Sequence, residues 1–162
     1  VLDTQVYSNT GGQSSTASFM GQNTKFSVHG AKIPGKIERR KELAQICMMH
    51  PNTFVAQTSC AMPNHFYKAI MAANEFDGPA VVSVYTTCQP EHGVGDNMAA
   101  AQSKLAVDTR TFPVLMYDPS KGAKIAERAP TAMRFSPRRS ARQASRRSPS
   151  LSAECSTATR TP

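Results

Sequence analysis

Val1-Leu2-Asp3-Thr4-Gln5-Val6-Tyr7-Ser8-Asn9-Thr10-Gly11-Gly12-Gln13 opens the chain and governs how the rest is read. Two apolar residues lead into an acidic and hydroxylic run that ends in a glycine pair. That is the pattern of a buried strand delivering oxygen ligands and open backbone at its carboxyl end. In parallel α/β sheets, ligands bind at that edge. A hard divalent cation such as Mg2+ takes a few oxygens from protein and fills its remaining positions with phosphates and water. Thr4 can offer a hydroxyl and Val6 a main-chain carbonyl. Asn9 can turn an amide toward whatever the phosphates carry, and Gly11 and Gly12 let the backbone turn tightly against a ligand.

Downstream, residues 14–36 are rich in Ser, Thr, Gly, Gln and Lys and read as a loop folded over the ligand edge. Leu43, Ile46 and Cys47, preceded by the charges Glu38 to Glu42, predict an amphipathic helix over residues 37–50 that Pro51-Asn52 ends. Thr53 to Thr58 reads as a short buried strand. A second helix is predicted from Met62 to Phe76, with Phe66, Ile70 and Ala73 along one face. After the turn Asp77-Gly78-Pro79, the run Ala80-Val81-Val82-Ser83-Val84-Tyr85 is the strongest strand, β-branched in the manner of strands buried on both faces. A third helix is predicted from Asn97 to Thr109 and a last strand from Val114 to Tyr117. Strands alternating with helices predict an α/β protein with a parallel sheet, flanking helices and right-handed crossovers.

The net charge of +8 over 162 residues invites a nucleic-acid reading until the charge is located. Residues 1–130 hold twelve Lys and Arg against ten Asp and Glu, whereas residues 131–162 hold seven Arg against one Glu. The globular part is therefore nearly neutral. The tail has few large apolar residues, and such a composition predicts disorder. Domain boundaries are expected at 1–128 and 129–162. Charge alone would let the tail bind RNA or another polyanion. Its Arg, Ser, Pro and Ala mixture also resembles an out-of-frame translation of GC-rich coding sequence, which is the preferred reading. No apolar run is long enough to span a bilayer. Cys47, Cys60, Cys88 and Cys155 are too irregularly spaced for a disulfide framework and fit reduced thiols in a cytoplasmic protein. Val1 within a strand implies a chain that starts mid-domain, part of a larger polypeptide. Lys25, Lys32 and Lys36 form a basic patch, suited to a phosphate or to coenzyme A, or else simply solvated. The loop Gln89 to Asp96, with His92, reads as solvated.

The ordered run Asp-Thr-x-Val-Tyr-Ser-Asn-Thr-Gly-Gly-Gln resembles the thiamine-diphosphate segment of the pyruvate:ferredoxin (flavodoxin) oxidoreductases. The strand Val82-Ser83-Val84-Tyr85-Thr86-Thr87-Cys88 is similar to a second segment of that family, and the resemblance extends over roughly residues 1–128. It implies the C-terminal part of a thiamine-diphosphate-binding domain. It implies that Thr4 and Val6 bind Mg2+, that Thr4, Gln5, Val6, Tyr7, Ser8 and Asn9 line the cofactor, and that Asn9 lies near the reacting centre. Cys88 would be the one ligand this chain gives to a [4Fe-4S] cluster. The implied reaction is oxidative decarboxylation of pyruvate to acetyl-CoA and CO2, with electrons passed to ferredoxin or flavodoxin by a homodimeric parent enzyme. The family's upstream Gly-Asp-Gly is absent here, so the chain alone would be inactive. Alternatives are an enzyme for another 2-oxoacid such as 2-oxoglutarate, a non-redox thiamine enzyme, and a polyanion-binding protein acting through the tail.

Overall fold

A computed structural model describes residues 1–24, 35–122 and Arg128. The expected tail, residues 129–162, lies outside the described residues, as do Lys25, His29 and Lys32. Four strands, β1 (Leu2–Asp3), β2 (Phe54–Ser59), β3 (Ala80–Tyr85) and β4 (Leu115–Tyr117), form one sheet in the order β1-β3-β2-β4. Helices α1 (Leu43–Met48), α2 (Pro63–Glu75), α3 (Gln89–His92) and α4 (Ala99–Asp108) lie between them, with a 3-10 turn at Asp96–Met98. β1, β3 and β2 run parallel, and β2-α2-β3 is a β-α-β crossover between neighbouring strands.

The sheet is only mostly parallel, which corrects the sequence expectation. β4 pairs antiparallel to β2, with Val55 opposite Tyr117 and Gln57 opposite Leu115. The cause lies in α4. Ser103 on that helix meets Thr87 (3.3 Å) and Cys60 (3.2 Å), both just past the carboxyl ends of β3 and β2. The helix thus stays at the carboxyl edge instead of returning along a face. After Arg110, with φ +63°, the Phe112 amide donates to the Ala106 carbonyl at 3.0 Å. The chain doubles back and enters β4 from the carboxyl side, so its direction opposes that of β2.

Side chains alternate across the sheet as strand geometry requires. Val55 packs with Ala44 and Tyr117 on one face, flanked by Cys47 and Met48 of α1. Phe54 and Ala56 pack with Ala69 of α2 on the other, flanked by Ala72, Ala73 and Phe76. Four elements differ from expectation. α1 is six residues long because the charged segment before it is tied to the loop after the glycine pair; the Lys41 amide donates to the Thr16 carbonyl at 2.9 Å. β2, not β3, is the strand buried along its whole length, because β1 covers only the Val84–Tyr85 end of β3. Val1 and Leu2 are exposed, since β1 is a two-residue edge strand. In α2 the inward positions are Ala69, Ala72 and the expected Ala73, with Phe76 at the C-cap, while Phe66 and Ile70 are open. Among the described residues no helix is long and apolar enough to cross a membrane.

Candidate functional site

The two segments singled out in the sequence leave the sheet side by side. Leu2 and Asp3 pair with Val84 and Tyr85, and the Thr86 amide donates to the Asp3 carbonyl at 3.2 Å. Thr4 and Thr86-Thr87-Cys88 therefore emerge from the carboxyl ends of neighbouring parallel strands. Glu91, in α3 just beyond Cys88, reaches back to the first loop, where its Oε1 accepts from the Gly11 amide at 3.3 Å.

Past β1 the chain curls. Gln5 is buried (2% exposed) and sits at φ +63°, a left-handed conformation unusual for a residue with a side chain. It is held there from three sides. Its amide and its Nε2 both donate to Asp3 Oδ1, each at 3.1 Å, and the Ser18 hydroxyl donates to its carbonyl at 2.6 Å. An outlier persists only when its surroundings over-determine it, and such residues cluster at ligand sites. The curl turns the Val6 carbonyl onto Thr4, whose Oγ1 donates to it at 3.2 Å; Thr4 Oγ1 also contacts the Ser8 hydroxyl. The loop beyond closes with the Tyr7 amide donating to the Gln13 carbonyl at 3.0 Å, and the Thr10 hydroxyl donating to the Tyr7 carbonyl at 2.8 Å. Gly11, at φ +105°, supplies a backbone conformation that a side chain would oppose. Tyr7 and Asn9 lie exposed on this loop, Asn9 itself at φ +61°.

Beneath the curl lies a charged layer. Asp3 is buried and faces Arg40 Nη2 at 3.7 Å. The Arg40 guanidinium also lies 4.9 Å from the centre of the Phe19 ring and 5.4 Å from that of Phe112, within cation–π range. Burial pushes the Asp3 carboxyl up, against the opposing pull of Arg40 and the hydrogen bonds from Gln5. Burial, with the nearby Asp3 charge, likewise pushes the Tyr85 phenol up.

Thr4 and Val6 fit a hard cation. Two neighbouring oxygens of an octahedral Mg2+ site stand about 2.9 Å apart, the edge set by Mg–O bonds of about 2.0–2.1 Å. The 3.2 Å between Thr4 Oγ1 and Val6 O is close to that edge. A cavity of about 300 Å³ is lined by Thr4, Gln5, Val6, Ser15 and Thr16, and also by Lys41 and the apolar Leu43 and Ile46. Among the described residues no group of three or more His, Cys, Asp or Glu could hold a metal, so this set would hold one only with further oxygens from elsewhere. Cys88 carries a free thiol and is buried, directly before α3. A [4Fe-4S] cluster takes four thiolates. Cys88 could supply at most one of them here, because no group of three or more His, Cys, Asp or Glu is gathered among the described residues. A second cleft, of about 470 Å³, runs between the first loop and α4, lined by Gln5, Tyr85, Glu91, His92 and Gln102 among others.

Sequence reasoning missed several residues here. Asp3, Arg40, Ser18 and Glu91 received no role, though an acid ending a strand is itself a signal. Lys36 was grouped with a basic patch. It is instead buried and donates to the carbonyls of Ser15, Thr16 and Ser18 at 2.9, 3.3 and 3.0 Å. Cys47 packs into the core, and Cys60 sits exposed at the end of β2.

Together these features define an α/β protein whose mostly parallel sheet gathers oxygens and a thiol at one carboxyl edge. The chain matches a segment of several pyruvate-flavodoxin and pyruvate:ferredoxin oxidoreductases. It is 37% identical over 122 residues to a pyruvate-flavodoxin oxidoreductase of Rhodospirillum rubrum, covering 75% of this chain and 10% of that protein. It is 39% identical over 122 residues to a probable pyruvate-flavodoxin oxidoreductase of Escherichia coli, with the same coverage of 75% and 10%. It is 32% identical over 130 residues to the pyruvate synthase subunit PorB of Thermotoga maritima, covering 80% of this chain and 40% of the subunit. The chain thus spans well under two thirds of the length of these relatives. No protein-family model matches it.

Proposed function

We propose that this chain forms part of the thiamine-diphosphate domain of an enzyme that oxidatively decarboxylates pyruvate and passes the electrons to ferredoxin or flavodoxin. The observation that carries the reading is the meeting of Thr4 Oγ1 and Val6 O, 3.2 Å apart, at the carboxyl edge beside the strand that ends in Cys88. The names of the relatives supply pyruvate and the acceptor.

Thr4 and Val6 hold Mg2+. Gln5, Tyr7, Ser8 and Asn9 line the diphosphate and thiazolium, and Asn9 orients the reacting carbonyl. Thiamine diphosphate, when bound, supplies the nucleophilic carbon and electron sink for loss of CO2 from a 2-oxoacid, with coenzyme A taking the acyl group. The buried Asp3–Arg40 layer fixes the curl that aims the two oxygens. Cys88 gives one thiolate to a [4Fe-4S] cluster beside the cofactor, and protein outside the matched segment supplies the other ligands. The parent enzyme is a homodimer in the cytoplasm.

Thr4→Val and Cys88→Ala in the full-length enzyme test this reading separately. T4V is expected to lose bound thiamine diphosphate at micromolar Mg2+ while keeping its iron. C88A is expected to lose iron while keeping thiamine diphosphate. Full cofactor content in T4V overturns the metal assignment, and full iron content in C88A overturns the cluster assignment. A substrate panel on the same enzyme separates pyruvate from 2-oxoglutarate.

A further inference from the structure

We infer that Lys36 is a positioning residue for the cation site. It acts through Ser18 and Gln5 to hold the Val6 carbonyl on Thr4. The inference rests on the metal role of Thr4 and Val6 proposed above.

Lys36 lies at 8% exposure, and its ammonium donates to three carbonyls of a single turn: Ser15, Thr16 and Ser18. An ammonium has three donors and no acceptor, so this turn satisfies it fully. No carboxylate is paired with it in any of these bonds. A buried charge held only by main-chain dipoles is costly unless those dipoles are aimed at it, so the turn and the lysine fix each other. The backbone around Lys36 is equally pinned. Its carbonyl accepts from the Gly21 amide at 2.7 Å, and its own amide donates to the Gln22 carbonyl at 3.0 Å. Gly35 before it has φ +89°, and a Cβ there would stand 2.6 Å from the Gly21 carbonyl oxygen.

The turn is in contact with the site. Ser18 is wholly buried, and its hydroxyl donates to the Gln5 carbonyl at 2.6 Å while accepting from the Ser15 amide at 2.9 Å. Gln5 is the left-handed residue between the two oxygen donors. Ser15 and Thr16 also line the same cavity as Thr4 and Val6. The ammonium fixes the turn, the turn fixes the Ser18 hydroxyl, and the hydroxyl fixes the Gln5 peptide. That peptide sets the direction of the next carbonyl. Groups that orient metal ligands without touching the metal commonly change its affinity by about 10–100-fold when removed.

The test uses the full-length enzyme with Mn2+ replacing Mg2+ in the presence of thiamine diphosphate. Free and bound Mn2+ are read by EPR, and the melting temperature is followed alongside. Lys36→Met and Ser18→Ala are each expected to raise the Mn2+ Kd by about tenfold or more, and to alter the EPR signature of the bound ion. Because they act in one chain, the double variant is expected to lose no more than the worse single variant. At saturating Mn2+ the kcat of S18A is expected to recover. If K36M does not fold, S18A alone decides, since it removes one oxygen atom. An unchanged Mn2+ Kd in S18A, or losses that add in the double variant, overturns the inference while Thr4→Val still abolishes binding. If T4V also binds Mn2+ normally, the metal assignment itself fails and the inference goes with it.

Discussion

Gln5 shows how much chemistry one strained residue can organise. Its left-handed backbone converts an extended segment into a curl, which Asp3 and Ser18 hold, with Arg40 and Lys36 behind them. Titration also belongs at this scale. His65 of α2 shares a hydrogen bond with the Thr58 hydroxyl at 2.9 Å. Burial, and then the Lys68 charge, lower its pKa below the usual 6.5. The unfolded chain therefore binds this proton more readily than the folded one. Stability is whole above pH 6.5 and falls as pH drops from there through the lower folded value. Burial lowers the pKa of His92 as well, with Glu91 opposing, so it contributes in the same direction. The His65→Gln chain is expected to lose less melting temperature than wild type between pH 7.5 and pH 5. Melting curves across that range check it, and parallel curves for the two chains would refute it.

At the scale of elements, α2 shows how little separates core from surface. Ala69 is fully buried against Phe54 and Ala56, yet its neighbour Ile70 is 43% exposed. Apolar spacing in the sequence puts Phe66, Ile70 and Ala73 along one face, and of these only Ala73 packs against the core. The helix turns its alanines inward instead, since Phe54 and Phe76, with ring centres 5.9 Å apart, already fill the space beneath. Ala69→Leu is expected to destabilise the fold by about 1–3 kcal/mol through overpacking. Ile70→Lys is expected to stay within about 0.5 kcal/mol of wild type. Urea denaturation of the two variants distinguishes this facing from the one read off the sequence, which would reverse the order.

Across the whole molecule, parallel pairing of β1 with β3 brings the two motifs to one sheet edge, and Glu91 ties them together at Gly11. That bond is one the sheet does not make. Glu91→Ala removes about 1 kcal/mol of net hydrogen bonding. In the full-length enzyme it is expected to raise the Kd for thiamine diphosphate roughly fivefold, leaving iron content at the wild-type level. Isothermal titration and iron analysis read the two quantities independently. A lowered iron content would mean that Glu91 supports Cys88 rather than the first loop.

The order of residues was enough for the alternation of strands and helices, the strand Ala80 to Tyr85, the helix in α2, and the oxygen-rich run from Thr4 to Asn9. These are local properties: β-branching, apolar period and the chemistry of neighbouring residues act within a few positions of the chain. Strand direction, burial and pairing of charges are not local. β4 runs antiparallel because of the way the whole chain packs: a ten-residue helix stays at the carboxyl edge. Folding alone buries Lys36 against main-chain carbonyls and sets the largely covered Arg40 against Asp3 and Glu42, beneath Thr4 and Val6. An ammonium or guanidinium leaves water only where several dipoles or a carboxylate converge on it, and that convergence is made by segments far apart in sequence.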